Sequence, residues 1–180
     1  MKKRIVVLIA AFAILVPVCG INMIYNNYRL GSDLYAAACS MSVETARLDR
    51  SITFLKKEFA KGADNEAYRE RHVFDNDIHG IRISLAYNRT LLLDEVRVEL
   101  GDRIEDFYQE TKSDEGLKNY FATNPNEVDD LLNLLRDTTD IVLDFVEGYN
   151  DLPRWKRYFV SWENERKILS DKILDSMPDW

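Results

Sequence analysis

Only two histidines occur in this 180-residue chain, and they lie seven apart in RERHVFDNDIHG with an aspartate between them. On a helix, His72, Asp75 and His79 would share a face at positions i, i+3 and i+7. Imidazole and carboxylate both ligate zinc, and a water could complete a tetrahedral site. The Asp75-Asn76-Asp77 triplet argues the other way, because short polar side chains hydrogen-bond to nearby backbone and favour turns and helix caps. Surface histidines and no bound metal are the expectation, with His72, Asp75 and His79 as the candidate ligands if there is one.

No other chemistry-bearing pattern stands out. The sequence has no GxSxG, HExxH or CxxC and no glycine-rich phosphate loop. Its acids are many, but none has an apolar setting that would raise its pKa for acid–base work. No catalytic residue and no cofactor are expected, and the role predicted is non-enzymatic. Asn88-Arg89-Thr90 fits a glycosylation sequon within what the pattern takes as the middle of a helix.

The formal charge of −7 argues against a nucleic-acid or anionic-lipid surface, which call for basic patches. That excess is matched within residues 125–151, where eight acids meet one base, and Asp130, Asp137, Asp144 and Asp151 recur every seven residues on one stripe. The following segment is basic, with Arg154, Lys156, Arg157, Arg166, Lys167 and Lys172. The stripe is therefore either a solvated face partly paired with that segment, or a docking surface for a basic partner or a weakly held divalent cation. Trp155, Phe159 and Trp162 fit a core face at helical spacing. Tyr158, among Arg and Lys, and Trp180 are candidate partner contacts.

These residues need elements to hold them, and the first element sets the compartment. Lys2, Lys3 and Arg4 precede an uncharged run over residues 5–28, apolar to Ile21 and resuming after Asn22. A membrane-spanning helix needs about 20 mainly apolar residues, and residues 5–25 meet that length. The basic cluster would stay in the cytoplasm. A cleaved signal peptide ending near Pro17, or a lipoprotein acylated at Cys19, are the alternatives. All three place the bulk of the chain outside the bacterial cytoplasmic membrane. The division expected is residues 1–28 as anchor or signal and residues 29–180 as one extracytoplasmic domain.

Beyond the anchor the periodicity is helical throughout. Leu34, Ala38, Met41, Thr45, Leu48, Ile52, Leu55 and Phe59 step by four and three, a heptad seam ending at Gly62. A polar connection holding a short helix is expected to Asp77. A second long helix follows over residues 77–112, then a polar connection with an amphipathic turn at Leu117, Tyr120 and Phe121. Asn124-Pro125 starts a third helix with Val128, Leu131, Leu135, Thr138, Val142, Phe145 and Tyr149 inward. Pro153 opens a fourth that stops near Pro178. The fold predicted is all-α, a transmembrane helix followed by an antiparallel four-helix bundle. Two cysteines provide no disulfide framework; Cys39 is expected as a small packed residue, the alternative being a link between two copies.

An anchor leading into a helical bundle resembles LemA-type membrane proteins, in which a Tyr-Asn pair follows the span as Tyr25-Asn26 does here. The proline-containing motif expected in the first bundle helix of that family is missing. The layout is also similar to chemoreceptor ligand-binding bundles, which need a returning second span, and to phage spanins and antiholins. The chain is assigned to none of them. Taken together, these features predict a single-pass envelope protein that acts by contact with another envelope protein or with itself. The alternative is a small-ligand or metal-binding extracytoplasmic domain.

Overall fold

The computed structural model describes residues 2–157 and 160–177, with side chains for residues 15–26, 29–89, 91–157 and 160–177. The described residues are helical, without strands. One helix dominates: α1 runs unbroken over Lys2–Ala60 and carries Pro17 inside it. After it come α2 (Asp64–Tyr87), a 3-10 turn (Asn88–Thr90), α3 (Asp94–Thr111), α4 (Asp114–Thr123), α5 (Pro125–Asp151), the single turn α6 (Arg154–Arg157) and α7 (Trp162–Ser176). Among the described residues no helix is long and apolar enough to cross a membrane. Residues 5–14 of the expected span lie outside the described side chains.

The α1 seam is the centre of the bundle. Leu34, Ala38, Met41, Thr45, Leu48, Ile52 and Leu55 are all buried, and Phe59 packs at the margin of the core. The helix meets α2 on one side and α5 on the other. Both partners run antiparallel to it. Ser40 meets Ser84 while Ser51 donates to Asp77, and Thr45 meets Thr139 while Lys56 reaches Asp129. The turn between α1 and α2 needs Gly62, whose φ of 71° lies in the left-handed region. The Ala63 N–H donates to the Glu58 carbonyl at 3.0 Å and the Gly62 N–H to Phe59 at 3.0 Å, which satisfies carbonyls that the helix end would otherwise leave open.

The second expected helix is divided differently. The helix begins at Asp64, so the supposed connection up to Asp77 is its first half, and the Asp75-Asn76-Asp77 triplet lies in its interior. The seam extends back through Ala67 and Arg71 to Phe74, Ile78, Ile81 and Leu85. The small Ala67 and charged Arg71 disguise it. Arg71 is held by Asp75 at 3.5 Å and by Asp114 at 2.5 Å. The helix then breaks at residues 88–93, where it was expected to continue, and α3 folds back on α2. Leu91 and Leu92 are buried there beside Asn88. The corner lets these two adjacent leucines turn inward together. The sequon therefore lies at this corner, not mid-helix.

α7 clasps that corner. The Arg166 guanidinium donates to the carbonyls of Arg89 at 2.7 Å and Leu92 at 2.8 Å, and the Ser170 hydroxyl accepts from the Leu93 N–H at 3.3 Å. The expected fourth helix from Pro153 is instead a single turn, a break and then α7. Arg157 turns back to donate to the carbonyls of Leu152 and Asn150 at the end of α5. Trp155 is 61% exposed, so it is not the core residue its spacing suggested. Trp162 does pack inward, 5.8 Å from the ring centres of Phe145 and Tyr149. Leu169 and Ile173 are buried as expected. Tyr158, Phe159 and Trp180 lie outside the described residues.

At the far end, the expected amphipathic turn is the ten-residue α4, capped by the Ser113 hydroxyl, which accepts from the Gly116 N–H at 3.0 Å. Phe121 sits among Phe59, Phe74 and Phe107, with ring centres 5.9 to 6.5 Å apart. Replacing Phe121 with alanine should cost about 3 kcal/mol through the cavity it leaves. Gly62→Ala should cost about 1 kcal/mol through left-handed strain alone. Chemical denaturation of each variant checks both, and an unchanged midpoint for Phe121→Ala would exclude the aromatic end as part of the core.

Candidate functional site

The two histidines lie on α2, whose rise of about 1.5 Å per residue separates residues 72 and 79 by about 10 Å along the axis. Both histidines are exposed. His72 Nδ1 lies 2.9 Å from the Arg69 carbonyl, and Asp75 is turned toward Arg71. Among the described residues, no group of three or more His, Cys, Asp or Glu side chains is placed to hold a metal.

The aspartates of the α5 stripe, Asp130, Asp137, Asp144 and Asp151, are all exposed. They lie opposite the buried seam of the same helix, and Asp140 and Glu147 widen the face. Among the described residues none of the four stripe aspartates has an ion pair. Of the basic segment, Arg157 and Arg166 donate to backbone carbonyls instead. The acids and bases that do bridge α1 and α5 lie beside the stripe: Lys56 with Asp129 at 2.5 Å, and Arg136 with Asp49 at 2.7 Å.

Spacing alone did not reveal a cleft of about 630 Å³ between α3, α4 and α5. Phe107 and Leu131 lie at its base, both nearly buried. Tyr120 projects from α4, its ring 5.5 Å from that of Phe107. The Tyr120 hydroxyl donates to Glu127 Oε2 at 2.9 Å, and the Asn124 side-chain amide donates to the same oxygen at 3.2 Å. Asn124 is thus positioned at the start of α5 as expected, but its side chain serves Glu127 and makes no cap hydrogen bond. Across the cleft, the Arg103 Nε donates to Glu99 at 2.8 Å.

Burial pushes the Tyr120 phenol up to about 12, reinforced by the hydrogen bond to Glu127, the charge of Glu127 and, more distantly, Glu110. Negative charge therefore converges on one half-buried hydroxyl. The sequence signal for this cleft was a polar stripe on α3, at Glu99, Arg103, Asp106 and Glu110, running beside the buried Leu100, Ile104 and Phe107. The stripe becomes a wall only once α3 folds back and α4 closes over its end.

No protein-family model matches the chain, and neither a curated protein nor a solved structure does.

The folded state holds the Tyr120 proton more tightly than the unfolded chain, whose ordinary value is 10.0. That stabilising share is whole below pH 10.0 and is lost as pH climbs toward 12. In a ¹³C-tyrosine NMR titration, Tyr120 should ionise above the ordinary tyrosine value of 10.0. Glu127→Gln should move its transition toward the ordinary value. A Tyr120 transition unaffected by that change would separate the phenol from the carboxylate.

Proposed function

We propose that the chain is a single-pass membrane protein, N-terminus in the cytoplasm, whose helical bundle stands outside the membrane. There it acts by contact as a non-enzymatic subunit or regulator of an envelope complex. One observation carries the anchoring. Leu15, Val16, Val18, Ile21, Ile24 and Tyr25 are between 54% and 67% exposed and point around the full circumference of α1. A helix that is apolar all round needs burial or a bilayer, and a patch this large is costly in water. The remaining support is in the sequence: the basic residues before residue 5 and the apolar run over residues 5–14.

The same helix enters the bundle without a break. From Tyr25 to Leu34, the first buried seam residue, the rise is about 14 Å at 1.5 Å per residue. The bundle would stand close to the membrane on a stiff stalk, a geometry suited to neighbours in the same membrane. The unpaired stripe Asp130, Asp137 and Asp144 is the candidate contact for a basic partner. The alternative role is binding of a small ligand, for which the cleft at Tyr120 is the candidate place.

Alkaline carbonate washing of membranes from cells carrying the full chain should leave it in the pellet, whereas Val16→Arg combined with Ile21→Arg should release it. Extraction of the unaltered chain would overturn the anchor. Crosslinking in intact cells, followed by affinity purification, should recover a second envelope protein in stoichiometric amount. Changing Asp130, Asp137 and Asp144 together to Asn should reduce that recovery at low salt and flatten its salt dependence. Recovery of the chain alone would overturn the complex-subunit role.

A further inference from the structure

The charge of −7 is an average over the chain, and one end of the bundle departs from it. Residues 152–157, LPRWKR, hold three bases and no acid. Arg154, Trp155 and Lys156 are all exposed. Among the described residues neither Arg154 nor Lys156 has an ion pair. Trp155 stays 61% exposed, whereas Trp162 packs against Phe145 and Tyr149. The Lys156 ammonium lies 5.6 Å from the centre of the Trp155 ring. An exposed tryptophan beside free bases suits a membrane–water interface or a protein contact.

Position favours the membrane. The end of α5 abuts α1 at Gly31, where an added Cβ would lie 3.6 Å from Asn150 Oδ1 and 3.8 Å from Tyr149 Cε1. Arg157 fixes α6 to that end. It donates to the Leu152 and Asn150 carbonyls, and its guanidinium lies 5.8 Å from the centre of the Tyr149 ring. From Tyr25, the last of the exposed apolar residues at the start of α1, the rise to Gly31 is about 9 Å. The polar layer outside the hydrocarbon is about 5–8 Å thick on each side of a bilayer. With Tyr25 at the edge of the hydrocarbon, α6 would lie at the level of the headgroups. Two acids share this end, Asp151 and Asp33, and Asp33 faces Arg29 at 3.9 Å.

We infer that α6 rests on the anionic phospholipid headgroups of the membrane that holds α1. Arg154 and Lys156 pair with lipid phosphates, and the Trp155 ring sits between headgroup and hydrocarbon. The inference rests on the anchored reading above and adds a second point of contact to it. With α1 as the sole tether, the bundle could turn about the axis of that helix. Contact through α6 fixes which faces look along the membrane toward a neighbour. The Arg157 hydrogen bonds hold the turn in shape beforehand, so little ordering remains to oppose the contact.

The full chain, carrying 5-fluorotryptophan, can be placed in nanodiscs of phosphatidylcholine alone and of phosphatidylcholine with a quarter phosphatidylglycerol. The ¹⁹F signal of Trp155 is identified by its loss in Trp155→Phe, and a neutral soluble gadolinium chelate reports which signals meet water. The relaxation of Trp155 by the chelate should fall by about threefold or more in the anionic discs, the scale expected when about two bases meet an anionic surface. Arg154→Glu combined with Lys156→Glu should restore it, with the Trp162 signal unchanged as the sign of an intact bundle. Equal relaxation in the two lipids, or protection that survives the double charge reversal, overturns the contact while leaving the anchor in place. A chain that does not co-elute with either disc overturns the anchor and this inference together.

Discussion

Everything in this structure leans on one buried stripe. Residues Leu34 to Phe59 of α1 face α2 and α5 together, so a single seam supplies the inner wall for two neighbouring helices. A Leu→Ala change at such a site typically removes about 2–5 kcal/mol, a large share of a domain's total stability of about 5–15 kcal/mol. The seam is not wholly apolar. Thr45 and Thr139 meet at 3.0 Å between α1 and α5, and Thr139 also donates to the Leu135 carbonyl at 2.7 Å. With the Thr139 proton committed to that carbonyl, Thr45 is the donor across the interface. A hydrogen bond at one depth in an otherwise greasy contact favours a single register of α5 against α1.

The remaining helices are arranged by that pairing. Once α2 and α5 lie on α1, α3 can return along α2 only through a corner, and Leu91 and Leu92 are the residues that make the corner worth forming. α7 then packs against both α3 and α5, with Arg166 and Ser170 supplying partners to the backbone that the corner leaves open. At the other end α4 covers the aromatic cluster. The cleft at Tyr120 lies beside that cover, between α3, α4 and α5.

The seams of α1 and α5 were legible because heptad steps of apolar residues have one simple explanation. Almost every residue assigned to them is buried. The breaks were not legible. The series from Ile81 and Leu85 through Leu92 to Val96 keeps helical spacing across the corner, so periodicity alone describes one straight helix. The start of α2 was hidden because Ala67 and Arg71 occupy seam positions without looking apolar, and Arg71 is tolerated there because two aspartates receive its charge. Trp155 shows the reverse error, since a large aromatic at the right spacing is exposed when Arg157 ends the turn. The acidic stripe of α5 was foreseen in place and in exposure. The cleft was not, since it is built from three elements, two of whose boundaries were unforeseen.

In the function proposed above, one continuous helix passes from the bilayer into the core of the bundle. A nitroxide scan along residues 12–60 of α1, one label at a time in nanodiscs, would test it by comparing accessibility to oxygen with accessibility to a polar nickel chelate. The account predicts that labels through residue 25 favour oxygen on every side of the helix. Beyond residue 34 the signal should become periodic at about 3.6 residues, with minima at Leu34, Ala38, Met41 and Thr45. Chelate access at residues 15–25, or a loss of helical phase between the two regions, would contradict it.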